Sequence, residues 1–330
     1  MKPPSPIRHL SADEVIAAAP SLLDRLSLAE LAMRALGHEA EMPAKIGVHP
    51  RESGSIAHAM PALLHGDAED GSRDLMGMKW IAGFPANPSR GLATYNALVV
   101  LNDAATGLPV AIMDAGPITA QRTAAVSGVV MRRFAPERME RTSRVALLGA
   151  GAQARSHLPV IGHVLPGATV AVADVDRARA QALARDVATF SGVVTMDVAG
   201  SVREAVDGAD VVVSVVSFGP DRQTLDPAWL LPDALFVAVD YDMQAPAALA
   251  REAFFLTDAR DQFLATRSAT QFAGYPDPDA TIGEAVRERM RRPAGRVLAS
   301  HLGVGLADVI FAAATLTRAE ELGLGRMLPR

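Results

Sequence analysis

The sequence predicts an α/β protein in which a doubly wound parallel sheet is joined to a second domain. Three observations carry this reading. The chain has 330 residues, which at about 150 residues per domain points to two domains. From residue 144 onward, short apolar runs alternate with helical stretches, the rhythm of βαβ units. One of those runs ends directly in a glycine-rich turn, Gly149-Ala-Gly151-Ala-Gln-Ala154.

Up to about Gly116 the spacing predicts helices over 13–18 and 28–37. Strands are predicted over 44–48, 55–60, 75–81, 97–102 and 109–114. The last two flank Asp103-Ala-Ala-Thr-Gly107, a turn-rich connector that marks a hairpin. Beyond it, apolar runs at 144–148, 169–173, 210–216, 235–239 and 254–256 read as buried strands, with a helix over 176–188 between two of them. Residues 303–322 read as one amphipathic helix or two. The basic run 287–296 reads as a solvated helix face.

The glycine turn has the context that a dinucleotide fingerprint requires. It follows the run Val145-Ala-Leu-Leu148 and precedes a helix from Ala152, and Asp174 ends the next strand. Gly149 permits the tight turn, Gly151 lets the backbone approach a pyrophosphate, and Ala154 allows close helix–strand packing. The helix N-terminus offers free N–H groups to the phosphates. Asp174 would accept hydrogen bonds from the adenosine ribose and repel a 2′-phosphate, favouring NAD over NADP, although Arg177 and Arg179 lie close enough to weaken that preference. The bland alternative is a strand–turn–helix with no ligand.

Composition narrows the function classes. Lys plus Arg number 32 against 37 Asp plus Glu, so the net charge of −5 gives no reason to expect nucleic-acid or anionic-membrane binding. The absence of cysteine excludes disulfides, thiolate metal sites and cysteine nucleophiles. The histidines are scattered, with His157 and His163 poorly spaced for one metal on one helix face, and no metal is expected. No export signal or membrane span is expected. Prolines crowd the first ten residues, and prolines and glycines interrupt the uncharged stretch 156–173. The expected location is the cytoplasm.

Two further segments carry chemistry. One reads Lys79-Trp-Ile-Ala-Gly-Phe-Pro-Ala-Asn87-Pro-Ser-Arg90-Gly91-Leu-Ala-Thr94. The other reads Thr119-Ala-Gln-Arg122-Thr123-Ala-Ala. Lys79 closes an apolar strand and Arg122 opens a small-residue helix. Cations so placed need an anionic partner, either a ligand carboxylate held by Arg and Lys together or a core carboxylate of the protein itself. Spacing leaves these two open.

With Gly149-x-Gly151-x-Gln153 and Leu302-Gly-Val-Gly305-Leu-Ala-Asp308, these segments make the chain resemble the ornithine cyclodeaminase/mu-crystallin family over about residues 43–325. The resemblance implies a Rossmann NAD(P)-binding domain over 123–307. It also implies an α+β substrate-binding and dimerisation domain formed by both chain ends, 1–122 and 308–330, and a homodimer. Chemistry on α-imino and α-amino acids with a bound nicotinamide is implied too. Lys79 and Arg122 match positions that hold the substrate α-carboxylate, Thr94 matches a pocket position, and Leu302 and Gly303 match the pocket edge. Asp242 matches the catalytic acid/base, with Asp240 its neighbour and competitor. Thr123, Gly149, Gly151, Ala152, Gln153, Asp174 and Ser217 match the cofactor contacts.

The departures are informative. Cyclodeaminases carry an acidic residue near Met60-Pro61 that receives the ornithine amine, and this sequence has His58 there. Lys45 stands where an arginine is usual. The side-chain end of the pocket has therefore lost a carboxylate and gained potential cations. The expected activity is NAD(P)H-dependent reduction of an α-imino acid. Lys45 and His58 point toward a second substrate carboxylate, as in iminosuccinate going to aspartate. Lys79 shares the catalytic role through its hold on the substrate. The alternatives are a cyclodeaminase-type lyase with bound NAD and a mu-crystallin-like NADP- and ligand-binding protein.

Overall fold

The computed structural model describes residues 6–330 apart from 68–70, 72, 220, 221, 223 and 270. The chain forms two compact units, Met1–Arg122 with Val304–Arg330, and Thr123–Gly303. Among the described residues no helix is long and apolar enough to cross a membrane.

The first unit begins with β1 (Ile7–Leu10), α1 (Ala12–Ala17) and α2 (Leu22–Ala35). Ser11 and Glu14 close a capping box that starts α1. Ser21 caps α2, which starts six residues before the predicted helix. There follow β2 (Ala40–Glu41), β3 (Ile46–Val48), β4 (Ile56–Leu64), β5 (Leu75–Gly83), β6 (Tyr95–Asn102) and β7 (Pro109–Asp114). β4 to β7 form an antiparallel meander, and β6 and β7 are the expected hairpin. Helix α3 spans Gly116–Phe134.

The second unit carries β8 (Arg144–Leu148), α4 (Ala152–Val164), β9 (Ala168–Ala173), α5 (Arg177–Arg185), β10 (Val193–Val198), α6 (Val202–Val206), β11 (Val211–Ser214) and β12 (Leu235–Ala238). It continues with α7 (Ala247–Glu252), β13 (Phe254–Thr257), α8 (Arg260–Ser268), β14 (Ala280–Thr281), α9 (Ile282–Arg287) and β15 (Val297–Ser300). The strand order is β10-β9-β8-β11-β12-β15-β13-β14, and every pairing is parallel. β11, β12 and β15 are buried along their whole length, as strands covered on both faces must be, and this is why they read as unbroken apolar runs. The order reverses beside β8, the place where doubly wound sheets bind ligands. The basic run 287–296 corrects its expectation. α9 ends at Arg287, and the later arginines turn back onto backbone carbonyls, Arg292 Nε donating to Phe134 O at 3.0 Å and Arg296 Nη2 to Leu230 O at 2.9 Å.

The chain then returns to the first unit with α10 (Gly305–Glu321) and β16 (Arg326–Leu328). Residues 303–322 thus hold one helix. β16 pairs with β1, which lies parallel to β7, so both chain ends finish one sheet of order β16-β1-β7-β6-β5-β4-β2 with β3 on β4. α10 packs on β4, β5 and β6. A Cβ on Gly305 would lie 2.5 Å from Met60 O, so only glycine lets the helix start that close to β4.

Candidate active site

In the first unit, β5 points Lys79 inward, α3 carries Arg122, and α10 brings Asp308 to both. Lys79 Nζ lies 2.7 Å from Asp308 Oδ2, and Arg122 Nε lies 3.0 Å from Oδ1. Lys79 also donates to Thr119 Oγ1 at 3.5 Å. All three charged side chains are buried. The core carboxylate that spacing left open is therefore present, and it is Asp308. Its only signal in the sequence was its place at the end of Leu302-Gly-Val-Gly305-Leu-Ala-Asp308. Yet one carboxylate faces two cations. Burial, with Arg122 and Lys45 adding to it, pushes the Lys79 ammonium down to about 7 against the pull of Asp308.

His58 shares this neighbourhood. In the β4–β5 register His58 faces Ile81 and Met60 faces Lys79, so His58 and Lys79 occupy one face of the sheet. The imidazole lies across Gly47, where a Cβ would come within 2.9 Å of it. Burial, followed by the charges of Lys45, His49 and Lys79, lowers His58 to about 4. This corrects the reading of His58 as a cation, since a ring so surrounded is neutral near pH 7. His49 joins the group without having been assigned. Thr94 immediately precedes β6, and its carbonyl accepts from Phe84 N–H at 2.8 Å.

In the second unit the turn after β8 has the geometry its sequence required. Gly149 sits at φ 99°, and a Cβ there would meet Val215 O at 2.9 Å. Gly151 caps α4 with no side chain on the helix end, and the space beside it is open. Ala152 is the first helical residue. Asp174 accepts from Ala150 N–H at 2.7 Å and from Asp176 N–H at 2.8 Å, so its carboxylate ties the glycine turn to the end of β9. Arg179 Nη1 lies 3.9 Å from it. Thr123 Oγ1 and Gln153 Oε1 are buried with no hydrogen-bond partner among the described residues. Such atoms are costly unless a ligand satisfies them, and they fit a dinucleotide. Ser217 is exposed after β11. Gly303, at φ 85°, donates its N–H to Asp258 Oδ2 at 2.6 Å, and Leu302 beside it is buried. His157 is a buried neutral histidine bridging Ser127 Oγ at 2.9 Å and Gln153 O at 2.7 Å.

The acidic turn after β12 holds both candidate carboxyls. Asp242 Oδ1 lies 2.5 Å from Arg222 Nη1, and its Oδ2 accepts from Phe272 N–H at 3.1 Å. Asp240 accepts from Ser214 Oγ at 2.5 Å. Tyr241 between them is left-handed at φ 62°, a conformation costing a non-glycine residue about 1–3 kcal/mol and common where side chains are aimed for function. Arg222 and Ser214 were not assigned from the sequence, because they lie 20 and 26 positions from their partners.

The nodulation efficiency protein NfeD of Rhizobium meliloti is 31% identical over 98% of this chain and 99% of that protein. The structure of an archaeal alanine dehydrogenase dimer with bound NAD superposes at a TM-score of 0.82 with 25% identity, covering 98% of each chain. That of the Thermococcus litoralis Δ1-pyrroline-2-carboxylate reductase with NADH and L-proline shares the fold at a TM-score of 0.84 with 20% identity, covering 97% of this chain and 99% of that one. The model of the ornithine cyclodeaminase/mu-crystallin family matches residues 11–269, a span holding the Lys79 and Arg122 segments, the glycine turn and the acidic turn, and the chain belongs to that family.

Proposed function

We propose that the chain is an NAD(P)H-dependent reductase that converts an α-imino acid to its L-amino acid, the reverse being amino-acid dehydrogenation. The observation that carries this reading is the pair of buried cations, Lys79 and Arg122, against the one carboxylate, Asp308, that pairs with them among the described residues. A substrate α-carboxylate supplies the second negative charge. Held by the Arg fork and the Lys point charge, it fixes the reacting carbon, and positioning of this kind provides much of the acceleration in such enzymes. When bound, the nicotinamide supplies the hydride. Thr123 and Gln153 hold the dinucleotide, the Gly149–Gly151 turn and α4 hold its pyrophosphate, and Asp174 favours NAD. Leu302 and Gly303 shape the pocket edge. The Asp240–Asp242 turn handles the proton on nitrogen.

The side-chain end of the pocket favours an acidic substrate. Lys45 and His49 surround a neutral His58 that can still donate a hydrogen bond, so a dicarboxylic imine such as iminosuccinate, going to aspartate, fits better than a diamine. The protein acts as a homodimer. The face of the first sheet away from α10 presents Trp80 and Leu98, paired across β5 and β6, with Val110 beyond them. An exposed apolar face of this kind suits a second copy.

The test is loss of nicotinamide absorbance with NADH or NADPH, ammonium and glyoxylate, pyruvate, 2-oxoglutarate or oxaloacetate, with ornithine assayed separately for ammonia release. Oxidation with oxaloacetate well above pyruvate supports the dicarboxylic reading. Ammonia from ornithine turns the assignment to a cyclodeaminase. Silence on the whole panel with cofactor still bound turns it to a binding protein.

A further inference from the structure

The two carboxyls of the acidic turn are buried alike but partnered differently. Asp242 has a cation, Arg222, and the amide of Phe272. Asp240 has no ion pair among the described residues. Its Oδ2 accepts from Ser214 at the end of β11, and its Oδ1 is buried with no hydrogen-bond partner among them. Ser214 adjoins Val215, the residue on which the Gly149 turn rests. Among the described residues Tyr275 also faces both; its hydroxyl donates to Ala245 O at 2.7 Å, and burial, then the charges of Asp242 and Asp240, keeps it neutral. The charge of Asp242 disfavours a second charge on Asp240, and of the two only Asp242 has a cation beside it among the described residues.

We propose that Asp240 stores the proton delivered to the substrate nitrogen, while Asp242, held by Arg222 and the Phe272 amide, orients that nitrogen. This rests on the reductase reading. In the reductive direction the Asp240 O–H bond breaks and an N–H bond forms, while the imine carbon accepts hydride from the reduced nicotinamide, which is thereby oxidised. Solvent then returns a proton to the Asp240 carboxylate. Burial chiefly, opposed by Ser214 and by the backbone amides of Asp240 and Val216 and helped by the charge of Asp242, raises Asp240 to about 7, within reach of a proton cycle at neutral pH.

The experiment compares wild type, Asp240→Asn, Asp242→Asn and Ser214→Ala. It reads kcat at saturating imine against pH, NADH affinity, and the infrared band of a protonated carboxyl as pH rises from about 5 to about 9. Wild-type kcat for reduction is expected to fall about tenfold per pH unit above about 7. Asp240→Asn should lose at least about 100-fold in kcat at neutral pH, lose both the pH limb and the titrating band, and keep its NADH affinity. Asp242→Asn should keep the band. Ser214→Ala should move limb and band to higher pH, because the hydroxyl stabilises the carboxylate form. A limb and band that survive Asp240→Asn and vanish in Asp242→Asn overturn the proposal. If wild type turns over no imine, the reductase reading fails, and the infrared band still decides which aspartate holds the proton.

Discussion

The Lys79 ammonium, held at about 7 by burial and by its cationic neighbours, ties anion binding to pH. On the proposed function, Lys79 below that value is charged and clamps the substrate carboxylate. Above it KM for the imino acid is expected to rise about tenfold per pH unit, with kcat at saturation unaffected by this group. Asp308 raises the Lys79 pKa, so Asp308→Asn should shift the KM rise to lower pH. It should also cost about 3–5 kcal/mol in a denaturant titration, because two buried cations lose their shared anion. Stability runs the opposite way from affinity. Lys79 binds its proton up to about 10.5 when unfolded but only to about 7 when folded, so the unfolded chain carries more protons between these values. This group therefore makes stability rise with pH across that window. Lys79 and Arg122 were legible as cations in need of an anion. Asp308 was not, because it lies 186 positions from Arg122 and only the fold brings them together.

Among the elements, those whose logic is local were readable. β8, its glycine turn and the start of α4 are continuous in sequence, and each residue has a backbone task that its type announces. The β6–β7 hairpin was readable for the same reason. β1 and β16 were not, since each is a short strand whose partners lie at the other end of the chain or across the meander. β10 alternates apolar and polar residues at the sheet edge, and β15 has four residues beside a strongly basic run. Close approach also hides from sequence. A Cβ on Gly162 of α4 would fall 2.0 Å from Ser191 O. Gly162→Ala should therefore push the helix off the loop before β10 and lower stability by about 1–3 kcal/mol, read as a fall in Tm.

For the whole molecule, the open face of the first sheet sets the expected assembly. Trp80→Lys places a charge between Ala59 and Leu98. It is expected to shift sedimentation from dimer toward monomer while circular dichroism stays that of the wild type. A wild type that sediments as a monomer at micromolar concentration would remove that face as an interface. The discontinuity of the first unit has a consequence for how the protein is made. Thr123–Gly303 is one uninterrupted stretch, whereas the unit holding Lys79 and Arg122 needs Val304–Arg330 to be complete. On the ribosome the nucleotide-binding turn can take shape while α10 is still unmade, and the two cations have no counter-ion until Asp308 emerges. A translation product halted near residue 303 would thus retain the parallel sheet with its glycine turn and lack Asp308, the anion that Lys79 and Arg122 share.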